Sequence, residues 1–173
     1  MTKQTVLIVR NANKKDFGGG ERYPVYLAEE LVKCGYDVLV CSHHNKIEDL
    51  CIEKKISFIK MPWMSIQNYS GIRNILLPLY AIWQAYLLFW YLSTIHKTQP
   101  EIVHIQSKDD FIAGTIAAKI LGKKVVWTDH ADLKYVLQNT ERLLKNPVGK
   151  LVMCVTALTS KIIVVSHNEL KLI

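Results

Sequence analysis

The sequence predicts a doubly wound α/β fold: a mainly parallel sheet of six to seven strands with helices on both faces. Three observations predict it. Short apolar runs alternate with helical stretches along the chain, the pattern of successive βαβ units. The first run, Thr5 to Ala12, passes through a glycine loop into an amphipathic helix, and a second strand follows at Asp37-Val38-Leu39-Val40-Cys41-Ser42. No repeat, low-complexity segment or internal linker interrupts the 173 residues, a length that suits roughly one domain with a real core.

The elements follow in order. Strands are expected at Thr5–Ala12, Asp37–His43, Ser57–Met61, Ile102–Gln106, Lys124–Thr128 and Ile162–Ser166. Helices are expected between them at Gly20–Lys33, Lys46–Lys54, Leu77–Lys97, Asp109–Leu121 and about Tyr135–Ser160, the last broken near Asn146-Pro147. Parallel strands joined this way take right-handed crossovers. Ligands of such sheets bind beyond the carboxyl ends of the strands, near the switch in strand order. The residues at those ends are Asn11 to Gly20, Ser42-His43-His44, Ser107-Lys108-Asp109, Asp129-His130-Ala131-Asp132 and Ser166-His167-Asn168-Glu169, a polar rim rich in His and Ser.

Gly18, Gly19 and Gly20 remove every Cβ from the turn where the first helix begins. The backbone can then approach a ligand closely, and N–H groups at a helix start attract phosphate or another anion. A plain connecting turn reads the same way. The dinucleotide fingerprint G-x-G-x-x-G is absent, as is the P-loop pattern, so an ordinary NAD or ATP site is disfavoured.

Net charge is +7, which favours anionic partners such as nucleotides or a phospholipid surface; the paired lysines at Lys14-Lys15, Lys54-Lys55 and Lys123-Lys124 also suit solvated turns. No recognition helix or aromatic sheet motif supports nucleic-acid binding. Cys34, Cys41, Cys51 and Cys154 form no C-x-x-C pair, so buried free thiols in a reducing cytosol are expected, with no redox motif. His43-His44 has no third ligand at metal spacing, and no metal is expected. His104, inside the fourth strand, reads as a hydrogen-bonded core histidine. The chain runs straight into its first strand, and no signal peptide is expected.

Ile75 to Ile95 contains no charged residue and carries Tyr80, Trp83, Tyr86, Phe89, Trp90 and Tyr91. A straight helix over it would be about 30 Å long, close to a bilayer core. Three readings stand: a core helix with an apolar outer face, a helix lying on a membrane surface, and a true span. The flanking strands should belong to one sheet, which argues against the span, as do Pro78 and Gln84. Arg73, His96 and Lys97 at the ends, and the interfacial preference of Trp and Tyr, suit the surface reading. In that reading Trp83, Trp90, Phe89 and Tyr86 face the membrane.

Phe17-Gly18-Gly19-Gly20-Glu21, Leu27-Ala28-Glu29-Glu30-Leu31-Val32-Lys33 and Gly35-Tyr36-Asp37-Val38-Leu39-Val40 resemble the N-terminal domain of family 4 glycosyltransferases. The resemblance continues in Gln99-Pro100-Glu101-Ile102-Val103-His104-Ile105, Val125-Val126-Trp127-Thr128-Asp129-His130 and Ile162-Ile163-Val164-Val165-Ser166-His167. It covers essentially the whole chain. Each motif is short and degenerate, and their order and spacing carry the specificity. Tyr36 stands where the family usually has His, Glu101 where it often has Asp, and Pro24 sits early in the first helix.

The resemblance implies one Rossmann-like half of a GT-B fold, the acceptor side of a retaining glycosyltransferase. Its partners are a nucleotide-sugar, a glycan or lipid-linked acceptor, an anionic membrane surface, and a C-terminal donor-binding domain in cis or in trans, for which the sequence holds no candidate. The nucleotide-sugar is a substrate; no cofactor is expected. The implied location is the cytoplasm, peripheral on the inner face of the cell membrane. His130 is implied to face the donor sugar or reacting centre as a catalytic residue, where a neutral imidazole orients a hydroxyl; it also suits a cap or turn. The amides of Gly18, Gly19 and Gly20 are implied to meet a donor phosphate. Glu21, Asp129, Asp132 and Ser166 are candidates for acceptor contacts, although Glu21 better suits a pairing with Arg or Lys or a place in its helix's first turn, and Asp129 and Asp132 equally suit surface turns. The competing class is a non-catalytic membrane-docking subunit that recruits a separate catalytic domain.

Overall fold

The computed structural model describes residues 3–12, 17–63, 77–129 and 147–164. Within them the chain runs β1 (Thr5–Val9), α1 (Gly19–Lys33), β2 (Asp37–Ser42), α2 (Asn45–Glu53), β3 (Ser57–Lys60), α3 (Leu77–Thr98), β4 (Ile102–Ile105), a 3-10 turn (Lys108–Asp110), α4 (Phe111–Ile120), β5 (Lys124–Asp129), α5 (Pro147–Thr156) and β6 (Lys161–Val164). The six strands form one sheet in the order β3-β2-β1-β4-β5-β6, and every pairing is parallel. The expected sheet is therefore present with six strands. The order reverses between β1 and β4, the place where this topology opens its ligand crevice.

Alternation along β1 builds two cores. Val6 and Ile8 face one side, where they pack with Val25 and Ala28 of α1, Val40 of β2 and Ile47 and Cys51 of α2. Leu7 and Val9 face the other, with Tyr91 and Ile95 of α3, Ile112 and Ala117 of α4, Trp127 of β5 and Val155 of α5. Trp127 lies parallel to Phe111 with ring centroids 4.1 Å apart and donates to Thr115 Oγ1 at 2.9 Å. Gly114 lets α4 approach β4, since an added Cβ would stand 2.8 Å from Ile105 Cδ1.

Helices α1 and α4 end alike. Tyr36 N donates to Leu31 O and Gly35 N to Val32 O; Lys123 N donates to Ala118 O and Gly122 N to Lys119 O. This closure needs a left-handed residue, supplied by Gly35 at φ 91° and Gly122 at φ 68°, which carry no Cβ to object.

Helix α3 resolves the apolar segment. Its inner face, Tyr80, Gln84, Leu87, Tyr91 and Ile95, is buried. Its outer face leaves Leu79, Ile82, Tyr86 and Phe89 between 54% and 70% exposed. No helix among the described residues is long and apolar enough to cross a membrane. Of the four aromatic residues expected on the outer face, Tyr86 and Phe89 are there. Trp83 and Trp90 are instead partly buried and pack against the core, with Trp90 edge-on to Trp63 at 4.8 Å. The helix is apolar all round, so hydropathy alone left its rotation open.

Candidate functional site

Strand β1 stops at Val9 because the next two residues spend their polar groups across the switch point. Arg10 Nη1 donates to Gln106 O at 2.9 Å, and the Asn11 amide donates to Ser107 Oγ. Asn11 Nδ2 donates to Trp63 O at 3.2 Å. The ends of β1 and β4 and the stretch after β3 are thereby tied together beneath the crevice.

The glycine turn is anchored from the same place. Glu21 Oε1 pairs with Arg10 Nη2 at 2.6 Å, both side chains nearly buried, and Glu21 Oε2 accepts from the Gly18 amide at 2.8 Å. Burial by itself would raise the Glu21 carboxyl. The Arg10 guanidinium and the Gly18 amide outweigh burial and hold it below the ordinary carboxylate range. Both carboxylate oxygens of this candidate acceptor contact are thus engaged inside the chain. Gly18 is the N-cap of α1, and Gly19 and Gly20 open the helix. An added Cβ on Gly19 would meet nothing within 4 Å, whereas one on Gly20 would crowd Arg10 Nη2 at 3.1 Å. Among the described residues, then, open space stands over Gly19, and Gly20 is small to admit the Arg10–Glu21 pair.

Asp129 ends β5, is buried, and faces Lys108 Nζ at 3.8 Å across the β4 and β5 ends. His130, Asp132 and Ser166 lie outside the described residues. His104 is buried, with Nε2 2.6 Å from Thr128 Oγ1, which agrees with the core reading. His43 Nδ1 is 2.9 Å from Met61 O, and His44 caps α2 by accepting from Lys46 N at 3.2 Å. Among the described residues no group of three His, Cys, Asp or Glu side chains is placed to hold a metal. Of the four cysteines expected as buried thiols, Cys41 and Cys51 are buried, whereas Cys34 and Cys154 are exposed; burial pushes the Cys51 thiol up to about 12.

The site residues that sequence reasoning missed are the ones that tie α3 to the crevice. Tyr91 OH donates to Asp110 Oδ1 at 2.8 Å, and Gln84 Nε2 donates to Asp109 O at 3.1 Å. Asp110 is fully buried. Burial raises its carboxyl to about 7, the Asp109 charge adds to the rise, and contacts to Tyr91, Ser107 and Trp63 work against it. The signal available was the adjacent acidic pair Asp109-Asp110 just after β4, immediately before the apolar run of α4.

A pH dependence follows. Unfolded, the Asp110 carboxyl titrates near its ordinary 3.8. Between about pH 4 and pH 7 the folded chain binds more protons than the unfolded one, so stability falls as pH rises through that window. Asp110→Asn keeps an acceptor for Tyr91 and carries no charge. It is expected to remove most of a decline that amounts to about 4 kcal/mol at 1.36 kcal/mol per pKa unit. Urea unfolding at pH 4 and pH 8 reads it; parallel slopes for wild type and variant would refute the assignment.

Chemically, the crevice offers hydrogen bonding. Asn11 Oδ1 and Arg10 Nε are buried and have no hydrogen-bond partner among the described residues. One is an acceptor and one a donor, on adjacent residues at the switch point. Buried polar groups are ordinarily satisfied, so these two atoms mark the switch point as polar beneath its surface.

The family description that matches the sequence is Glycosyltransferase Family 4, over residues 17–173. Comparison with curated proteins finds no match. Among solved structures, a glycosyltransferase from Rickettsia africae ESF-5 is 20% identical with a TM-score of 0.62, covering 99% of this chain and 38% of that one. MurG of Acinetobacter baumannii is 14% identical with a TM-score of 0.62, covering 95% and 42%. Anabaena Alr3699/HepE, solved with UDP and glucose, is 17% identical with a TM-score of 0.58, covering 91% and 37%. At these identities the likeness shows the fold, and this chain spans about two fifths of each structure's length.

Proposed function

Because the chain belongs to glycosyltransferase family 4, we propose that it is the acceptor-binding half of a retaining glycosyltransferase. The whole enzyme moves a hexosyl group from a nucleotide-sugar to a lipid-linked or cell-envelope glycan, in polysaccharide biosynthesis. The observation that supports the acceptor role is the polar convergence at the switch point, where Arg10, Asn11 and Ser107 meet beyond the ends of β1 and β4. They suit the hydroxyls of a sugar. The donor domain lies opposite, in cis or in trans, and supplies most contacts to the nucleotide. From this side the open approach over Gly19 admits the donor diphosphate to the start of α1, where backbone amides favour an anion. His130, the next residue in sequence after β5, is the proposed catalytic residue. Asp129, Asp132 and Ser166 serve the acceptor, the nucleotide-sugar is a substrate, and this half contributes no metal or cofactor.

The test is a transfer assay with a panel of nucleotide-sugars and lipid acceptors. The 173-residue chain alone is expected to give no product, and addition of a family donor domain to restore turnover. Multiple turnover by the chain alone would overturn the half-enzyme reading.

The second reading, a membrane-docking subunit, is favoured by the exposed stripe Leu79, Ile82, Tyr86 and Phe89 on α3. We place the chain at the inner face of the cell membrane, with this stripe in the interface and Trp83 and Trp90 along its flank. Co-sedimentation with anionic liposomes is expected, and Ile82→Ser/Phe89→Ser should lower the partition constant by about a hundredfold or more, since each buried apolar side chain contributes about 1.5–3 kcal/mol. Undiminished sedimentation of the folded variant would remove α3 from the membrane. A chain that docks in this way yet fails to support transfer beside any donor domain would favour the non-catalytic reading.

A further inference from the structure

Two exposed cations flank one aromatic ring at the rim. Phe17, in the turn after β1, is half-buried. Arg22 Cζ of α1 lies 5.3 Å from its ring centroid, and Lys46 Nζ of α2 lies 5.4 Å from it. His44, the N-cap of α2, stacks on the same ring at 5.5 Å with planes 26° apart. The cluster sits beyond the carboxyl ends of β1 and β2, one strand away from the switch point.

Folding alone gives little reason for this arrangement. The start of a helix carries partial positive charge, so a cation there loses about 0.3–1 kcal/mol where an acid would gain it. The nearby acids do not relieve it. Glu21 is spent on Arg10 and the Gly18 amide, and Glu48 on Lys60. None of the ion pairs among the described residues includes Arg22 or Lys46. The π face of Phe17 offsets part of the cost, about 0.5–1 kcal/mol for an exposed cation. What remains is a concentrated positive potential made by two cations and two helix starts. A lone carboxylate meets one of the cations. A phosphate or diphosphate, with several charges and oxygens spread over several ångströms, meets both: Arg22 through its guanidinium fork and Lys46 as a point charge.

We propose that Arg22 and Lys46, held on Phe17, bind the phosphate or diphosphate group of the acceptor. The assignment rests on the reading that this half holds the acceptor, and it makes that acceptor anionic next to its sugar. The ring holds both flexible side chains beside it before the ligand arrives, which lowers the entropy lost on binding.

The experiment is calorimetric titration of the 173-residue chain with inorganic pyrophosphate, set against the double variant Arg22→Gln/Lys46→Gln. Both side chains are exposed, so the variant should keep the wild-type circular dichroism and melting temperature. Saturable binding that weakens at least about tenfold in the variant is expected, the scale of lost charge-assisted hydrogen bonds. No binding by the wild-type chain, or equal binding by both, overturns the proposal. A second arm sediments both proteins with phosphatidylcholine vesicles containing phosphatidylglycerol. Equal sedimentation supports an acceptor phosphate. Loss of sedimentation in the variant while pyrophosphate binding persists reassigns the cations to lipid headgroups and overturns the acceptor assignment. Pyrophosphate binding without transfer activity beside any donor domain sinks the transferase reading and leaves the anion site standing.

Discussion

Glu21→Ala is expected to lower the unfolding free energy by about 3–5 kcal/mol, the range for breaking a buried ion pair by removing one partner. The Arg10 and Glu21 side chains are 12% and 10% exposed, so the guanidinium left behind is largely cut off from water. Its remaining contact, to Gln106 O, does not neutralise it. The Gly18 amide also loses its acceptor, a cap contribution of about 1 kcal/mol. Urea unfolding at pH 7 measures the loss. The pair has its own pH signature: the Glu21 carboxyl is held below its ordinary value, so its contribution is present above the unfolded value of 4.5 and is lost as pH falls through the lowered folded one. Arg10→Met/Glu21→Leu, which removes both charges, should recover much of the stability. A loss under about 1 kcal/mol for Glu21→Ala would make the pair equivalent to a surface bridge.

His130→Ala, in the assembled two-domain enzyme, is expected to cut the transfer rate by roughly 10²-fold or more, the scale of losing one transition-state-stabilising donor. Strand β5 ends at Asp129, and ligands of this topology bind beyond the carboxyl ends of the strands. The loss should appear in kcat, with the folded state and acceptor KM little changed, because the interaction is made at the reacting centre. Near-wild-type turnover by a folded variant would reduce His130 to a turn former.

The strands and most helices were legible because their signal is local. Val6, Ile8, Val38 and Val40 carry the period-2 pattern on residues that are adjacent in sequence, and each of the six strands overlaps its expected range. The first strand was drawn too long, to Ala12, because hydropathy does not show that Arg10 and Asn11 turn to partners ninety-six positions away. The Arg10–Glu21 and Tyr91–Asp110 links were illegible for the same reason: they depend on which elements the topology brings together. In α3, Gln84 read from sequence as a flaw in an apolar segment. It is instead a buried anchor, donating to Tyr80 OH and Asp109 O, and it marks the inner face that the apolar residues could not.

The central position of β1 has a consequence for how the chain comes into being. Its two neighbours arrive at very different times: Val6 pairs with Val38 across one helix but with Ile102 only after α1, β2, α2, β3 and α3 have been made. During synthesis β1 carries an open edge of unsatisfied N–H and C=O groups through most of translation, beside an apolar face that lacks α4. Such edges recruit other chains, and long-range parallel closure is slow. The strand that organises the finished crevice is therefore open to mispairing for as long as β4 is still to be made.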